Sequence, residues 1–111
     1  MKKVTPAERE PMKNAVRAEI TWLRPNQGGR KRLPSLSEYR SVSRFLEDPD
    51  SSRFGTWDVI VRFAEPPNEH SYRSLAWIAF RSKDAPRGLL SSGRLFDLTE
   101  GKKIVARGVV L

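Results

Sequence analysis

The sequence predicts an all-β chain that closes into a single six-stranded antiparallel barrel. Three observations predict it. Apolar and polar residues alternate in several short runs, the period-2 mark of strands with one buried face. Turn clusters bearing Gly, Pro, Asn and Asp separate those runs. No stretch carries the apolar spacing of an amphipathic helix. An open sheet would leave edges that pair with other chains, and closure removes them.

The elements follow in order. Residues 1–14 lack apolar periodicity; Thr5-Pro6-Ala7-Glu8 resembles a capping box, but Pro11 stops a helix within about one turn. A flexible basic arm is expected there, with the barrel domain over 15–111. Val16, Ala18, Ile20 and Trp22 then alternate with Arg17, Glu19 and Thr21 as a first strand. The turn cluster Arg24–Gly29 follows, where Gly28 and Gly29 accept positive φ at little cost. Arg30, Lys31 and Arg32 place three cations in a row on the loop to Tyr39. Tyr39–Leu46 reads as a second, short strand ending in the acidic turn Leu46–Ser52. Thr56–Phe63 is the clearest strand, with Trp57, Val59, Val61 and Phe63 on one face. Pro66-Pro67-Asn68 breaks it.

Leu75–Phe80 is apolar on both faces, as expected of a strand in a closed barrel or under a loop. After the polar loop Lys83–Gly93, the strand Leu95–Thr99 turns through Glu100-Gly101-Lys102 into Lys103–Leu111. There Ile104, Ala106, Gly108 and Val110 form one row. Trp22, Trp57 and Trp77 are expected to point inward.

Composition narrows the function. At 111 residues the chain is one domain able to bury one core. The absence of cysteine excludes disulfides, thiolate metal sites and cysteine catalysis. No apolar run is long enough for a membrane span, and Met1-Lys2-Lys3 is followed by no apolar signal segment, so a cytoplasmic place is expected. The balance of 21 Lys and Arg against 13 Asp and Glu gives +8. A basic field favours polyanions, and the arginine fork suits phosphate. The same charge also keeps an ordinary protein in solution.

Motifs for chemistry are few. The glycine loop lacks the GxxxxGK[ST] spacing of a P-loop. The single histidine, His70, lies beside Glu69 in a polar loop, with no GxSxG, HExxH or paired-carboxylate motif around it. No catalytic residue, metal site or cofactor is expected, and no enzymatic activity. Tyr39 could stack on a base or serve as a core residue with a bonded hydroxyl; Arg40 could bind a ligand or form an ion pair.

Two separated runs carry a resemblance. AEITWLRPNQGGRKRLPSLSEYR and LFDLTEGKKIVARGVVL together resemble the third, C-terminal β-barrel domain of elongation factor Tu. Gly28, Gly29 and Arg30 match its GGR loop and Tyr39-Arg40 its YR. Glu100-Gly101 matches its hairpin, and Gly108, Val109 and Val110 its closing GVV. The likeness runs from about Val16 to Leu111. The chain departs from the pattern at Lys31-Arg32-Leu33, at Ser41-Val42-Ser43 and at Lys102-Lys103-Ile104. No GTPase domain precedes the barrel in this sequence, so elongation itself is not expected of it.

In that family the GGR loop and the hairpin meet the T stem of aminoacyl-tRNA, while other barrel faces meet protein. The resemblance therefore implies a non-enzymatic binding module that binds another cytoplasmic protein or self-associates. The alternative it implies is binding of tRNA or other RNA through loop 28–32 and hairpin 100–103. Carried over by match or adjacency, the binding residues are Gly28, Gly29, Arg30, Lys31, Arg32, Tyr39, Arg40, Lys102 and Lys103.

Overall fold

The structure, a computed structural model, describes residues 12–35, 37–46 and 57–111. The expected arm up to Pro11 and most of the acidic turn lie outside the described residues. Six strands are present: β1 Val16–Trp22, β2 Glu38–Phe45, β3 Trp57–Glu65, β4 Arg73–Phe80, β5 Leu95–Glu100 and β6 Lys103–Val110. The only helical pieces among the described residues are two short 3₁₀ turns, Pro25–Gln27 and Arg87–Leu90. None is long and apolar enough to cross a membrane.

All neighbouring strands run antiparallel, in the closed order β1-β4-β3-β2-β5-β6. The all-β barrel expected from the sequence is therefore what forms. Because β1 pairs with both β4 and β6, neither flank of any strand is left as an edge. Antiparallel pairing also sorts the connections. The β1–β2, β3–β4 and β5–β6 connections gather at one end of the barrel, called here the upper end. The β4–β5 loop and the residues leading into β1 lie at the lower end.

Alternation places the core. Ala18, Ile20 and Trp22 of β1 point inward to meet Val59, Val61 and Phe63 of β3, all essentially inaccessible. Two buried hydroxyls are bonded within this core: the Trp22 indole Nε1–H donates to Ser74 Oγ at 3.1 Å, and Ser43 Oγ donates to the Trp57 carbonyl at 2.8 Å. Described side chains leave no buried polar atom without a partner, as a stable interior requires.

Two expectations, the inward Trp77 and the unbroken row from Ile104 to Val110, are corrected. Trp77 does not face the core. The pairing of Val16 with Ile78 and Ala18 with Ala76 puts the small Ala76 and Ile78 inside, and Trp77 stands on the outer wall. There the Arg17 guanidinium lies 5.4 Å from its ring centroid, a cation–π contact that also shields the indole. In β6 the alternating row is broken. Leu98 pairs with Ala106 but Thr99 pairs with Ile104, so Val105 is an extra residue in a bulge. Val105 and Ala106 are consequently both buried, and Ile104 leaves the inward row.

Candidate nucleic-acid interface

The upper end collects the residues singled out in the sequence. Its construction begins with the β6 bulge, whose Val105 carbonyl accepts the Leu23 N–H at 2.9 Å and so fixes how the chain leaves β1. Arg24 opens the 3₁₀ turn, and the Gln27 side chain accepts the Arg24 N–H at 2.8 Å. Gly28 ends that turn with φ of +87°, a conformation that disfavours any side chain. Gly29 then passes so close to the preceding strand end that a Cβ there would sit 2.0 Å from the Leu23 carbonyl oxygen. Both glycines serve the turn.

Arg30 is the clasp of this end. Its Nε donates to the Arg32 carbonyl at 2.9 Å, which curls the cationic loop back on itself. Its NH1 group donates to Glu100 Oε2 in the β5–β6 hairpin. The same carboxylate oxygen accepts the hydroxyl of Tyr39. The two segments that the sequence keeps 70 residues apart are thus joined through one guanidinium. Lys31 and Arg32 follow Arg30 on its loop; Lys102 and Lys103 follow Glu100 in the hairpin, with Lys103 paired across the turn with Glu100. All four are exposed, and none forms an ion pair with a described residue.

Tyr39 stands at the mouth of the barrel, with its ring edge-on to Trp22 at 5.2 Å. It is a wall residue whose hydroxyl is bonded. Arg40 is exposed and turns to Glu38, whose other oxygen accepts Arg62 Nε at 3.0 Å. The structure therefore brings Gly28 to Arg32, Tyr39, Lys102 and Lys103 together, and gives Arg40 an ion pair on the outer wall. Sequence reasoning missed Glu100 as the shared anchor. It also missed Arg24, whose guanidinium lies 4.1 Å above the Tyr72 ring at the same end. A carboxylate facing a tyrosine becomes visible only once β2 is known to neighbour β5.

Electrostatics follow from this packing. Burial pushes the Tyr39 hydroxyl up, and its hydrogen bond to Glu100 adds to that, bringing it to about 12. Burial also pushes the Glu100 carboxyl up, but the Tyr39 and Arg30 hydrogen bonds outweigh it and hold the group below its usual range. For Glu38, the Arg62 hydrogen bond is the main cause of a lowered value.

A raised tyrosine stabilises the fold below its ordinary value near 10, and that contribution is lost as pH rises from about 10 to about 12. After discounting for solvent at the mouth, the loss is about 1–2 kcal/mol. Urea midpoints at pH 9 and pH 11.5 should therefore fall further for the native chain than for Tyr39→Phe. Parallel falls would show that Tyr39 carries none of the alkaline loss.

Chemically, the end presents exposed cations around a bonded carboxylate. His70 sits in an exposed turn where the Asn68 side chain accepts its backbone N–H at 2.8 Å. Among the described residues no three His, Cys, Asp or Glu side chains gather as a metal set. What fold and site define is a closed antiparallel barrel with a cationic loop end. No protein-family model and no curated protein matches the chain.

Proposed function

We propose that this barrel is a non-enzymatic binding module for RNA, engaged through its upper end. The observation that carries the reading is the Arg30 clasp, which ties the loop bearing Lys31 and Arg32 to the hairpin bearing Lys102 and Lys103, all four of them exposed. Spacing cations around a rigid loop end suits a phosphate backbone, and phosphate contacts account for most of such affinity. The resemblance to the third domain of elongation factor Tu points the same way, since there the corresponding loop and hairpin meet tRNA. Arg30 supports the site by holding both segments.

Fluorescence anisotropy of the full chain against labelled bulk tRNA tests this at about 50 and about 200 mM salt. Four phosphate contacts give a salt slope of about −3, and hence a fall of about fiftyfold over that range. Reversal of Lys31, Arg32, Lys102 and Lys103 to Glu should abolish binding at the lower salt. Glu100→Gln should tighten binding several-fold by removing a like charge to phosphate, while lowering stability by about 1 kcal/mol through the weakened clasp. Absence of binding at about 50 mM salt would sink the RNA reading.

A second reading is favoured by a different observation. On the outer wall Leu95 is 47% exposed and pairs across the sheet with Val109, near Leu111 at 55%. Such a patch suits contact with a protein or a second copy. Light scattering that shows a dimer insensitive to salt, lost in Leu95→Asp, would support it over RNA.

A further inference from the structure

The lower end holds a second site, independent of the RNA reading. A hollow of about 630 Å³ opens there, between the turn that leads into β1, the end of β4 and the β4–β5 loop. Its floor is apolar and built from the core outward. Phe80 packs on Phe45 at 5.6 Å and on Trp57 at 6.3 Å, and Val16 and Leu90 lean on the same core. Its rim carries Lys13, Arg81, Lys83 and Arg87, and no acidic side chain lines it among the described residues.

Three of the four rim cations are presented by local geometry, and Lys83 follows on the loop after β4. The Ala15 N–H donates to the Met12 carbonyl at 3.0 Å, closing a turn in which Asn14 adopts φ of +62°. That turn sets Lys13 over the hollow. The Arg81 N–H donates to the Asp58 carbonyl at 3.0 Å, and its guanidinium stays 3.9 Å from the Asp58 carboxylate, a loose pair in which both groups are exposed. In the 3₁₀ turn Arg87–Leu90, residues three apart eclipse one another. Arg87 therefore stands above Leu90, a cation over an apolar surface, while Leu89 is buried in the core.

We propose that this hollow binds an amphiphilic anion, a phosphate, sulfonate or carboxylate head on an apolar body. A hollow of this volume falls within the range of small-molecule sites, about 300–1,000 Å³. The body would desolvate against Phe80, Val16 and Leu90, and the head would meet Lys13, Lys83 and Arg87. A free phosphate gains nothing from the floor, and a neutral apolar molecule gains nothing from the rim. Co-location of the two in one hollow is what selects a molecule that has both.

The test uses the full chain and anilinonaphthalene sulfonate, followed by its enhanced, blue-shifted fluorescence. Octyl phosphate and phenyl phosphate are the competitors, and they distinguish an aliphatic from an aromatic body. Inorganic phosphate and octanol, each at the same concentration, are the controls. Saturable binding is expected, displaced by one or both organic phosphates and by neither control. Lys83→Glu with Arg87→Glu should weaken it at least tenfold, and the milder Lys83→Gln with Arg87→Gln severalfold, with unchanged near-ultraviolet circular dichroism. Lys31→Glu with Lys102→Glu, at the opposite end, should leave it within about twofold. The proposal is overturned if neither the dye nor octyl phosphate binds. It is also overturned if inorganic phosphate displaces the dye equally well, or if the two ends respond alike to charge reversal.

Discussion

Gly108→Ala lowers the stability of the barrel by about 2–3 kcal/mol, and Gly108→Val leaves it largely unfolded. Gly108 pairs with Phe96 across β5 and β6, and the far end of the Phe96 ring lies against it. A Cβ at Gly108 would meet ring carbons at 2.2, 2.5 and 2.8 Å. The ring is confined: Phe96 is buried, and Phe45 packs against it at 5.3 Å, centroid to centroid. A close-packed interior answers such an overlap by shifting backbone or forcing poor rotamers. For a chain of this length the thermal midpoint should drop by about 10 °C or more in Gly108→Ala. Phe96→Leu, which costs stability alone, should recover part of that loss in the double variant, a coupling that a thermodynamic cycle measures. A Gly108→Ala midpoint within a degree or two of the native one would show that the contact is not tight.

Trp22→Ala costs about 3–5 kcal/mol, the range for truncating a buried aromatic. Trp22 is 2% exposed and contacts Phe63 as well as Tyr39. Its removal opens a void below the mouth and strips Ser74 Oγ of its donor. The consequence extends to the upper end, because the ring of Tyr39 rests on Trp22 while its hydroxyl is bonded to Glu100. In Trp22→Phe, most of the packing remains and the cost should be about 1–2 kcal/mol. Chemical denaturation reads the order Ala, Phe, native. A cost below about 1 kcal/mol for Trp22→Ala would mean that the mouth collapses to fill the void.

The strands were legible where one face is uniformly apolar. The alternation of Val16 to Trp22 and of Trp57 to Phe63 names the inward residues without help from the fold. Leu75–Phe80 could not be read that way. With apolar residues on both faces its register is undetermined by pattern, and only pairing with β1 decides that Ala76 goes in and Trp77 out. The bulge at Val105 was hidden for a similar reason, since Ile104-Val105-Ala106 contains no polar residue to mark the change of phase.

The candidate site divides in the same way. The glycines and the cationic run announce a loop in the sequence, because turn geometry is local. The role of Arg30 is not local. It depends on Glu100 and Tyr39, which arrive from β5 and β2 through the closed strand order. The lower hollow has no sequence signal at all, for its floor and rim come from three separate segments.

The strand order also bears on how long the chain takes to find its shape. Strands β2, β3 and β4 join their sequence neighbours by hairpins, as do β5 and β6. β1 has no such neighbour: both of its partners, β4 and β6, come from the far half of the chain. Loop-closure entropy must be met before those pairings return anything, which places folding among the slow, millisecond-to-second topologies. During synthesis, the first strand made waits for the last one before its second flank is covered. Until β6 leaves the ribosome, the row Arg17, Glu19, Thr21 and Leu23 keeps open backbone groups, and that interval is when the nascent chain is most exposed to pairing with its neighbours.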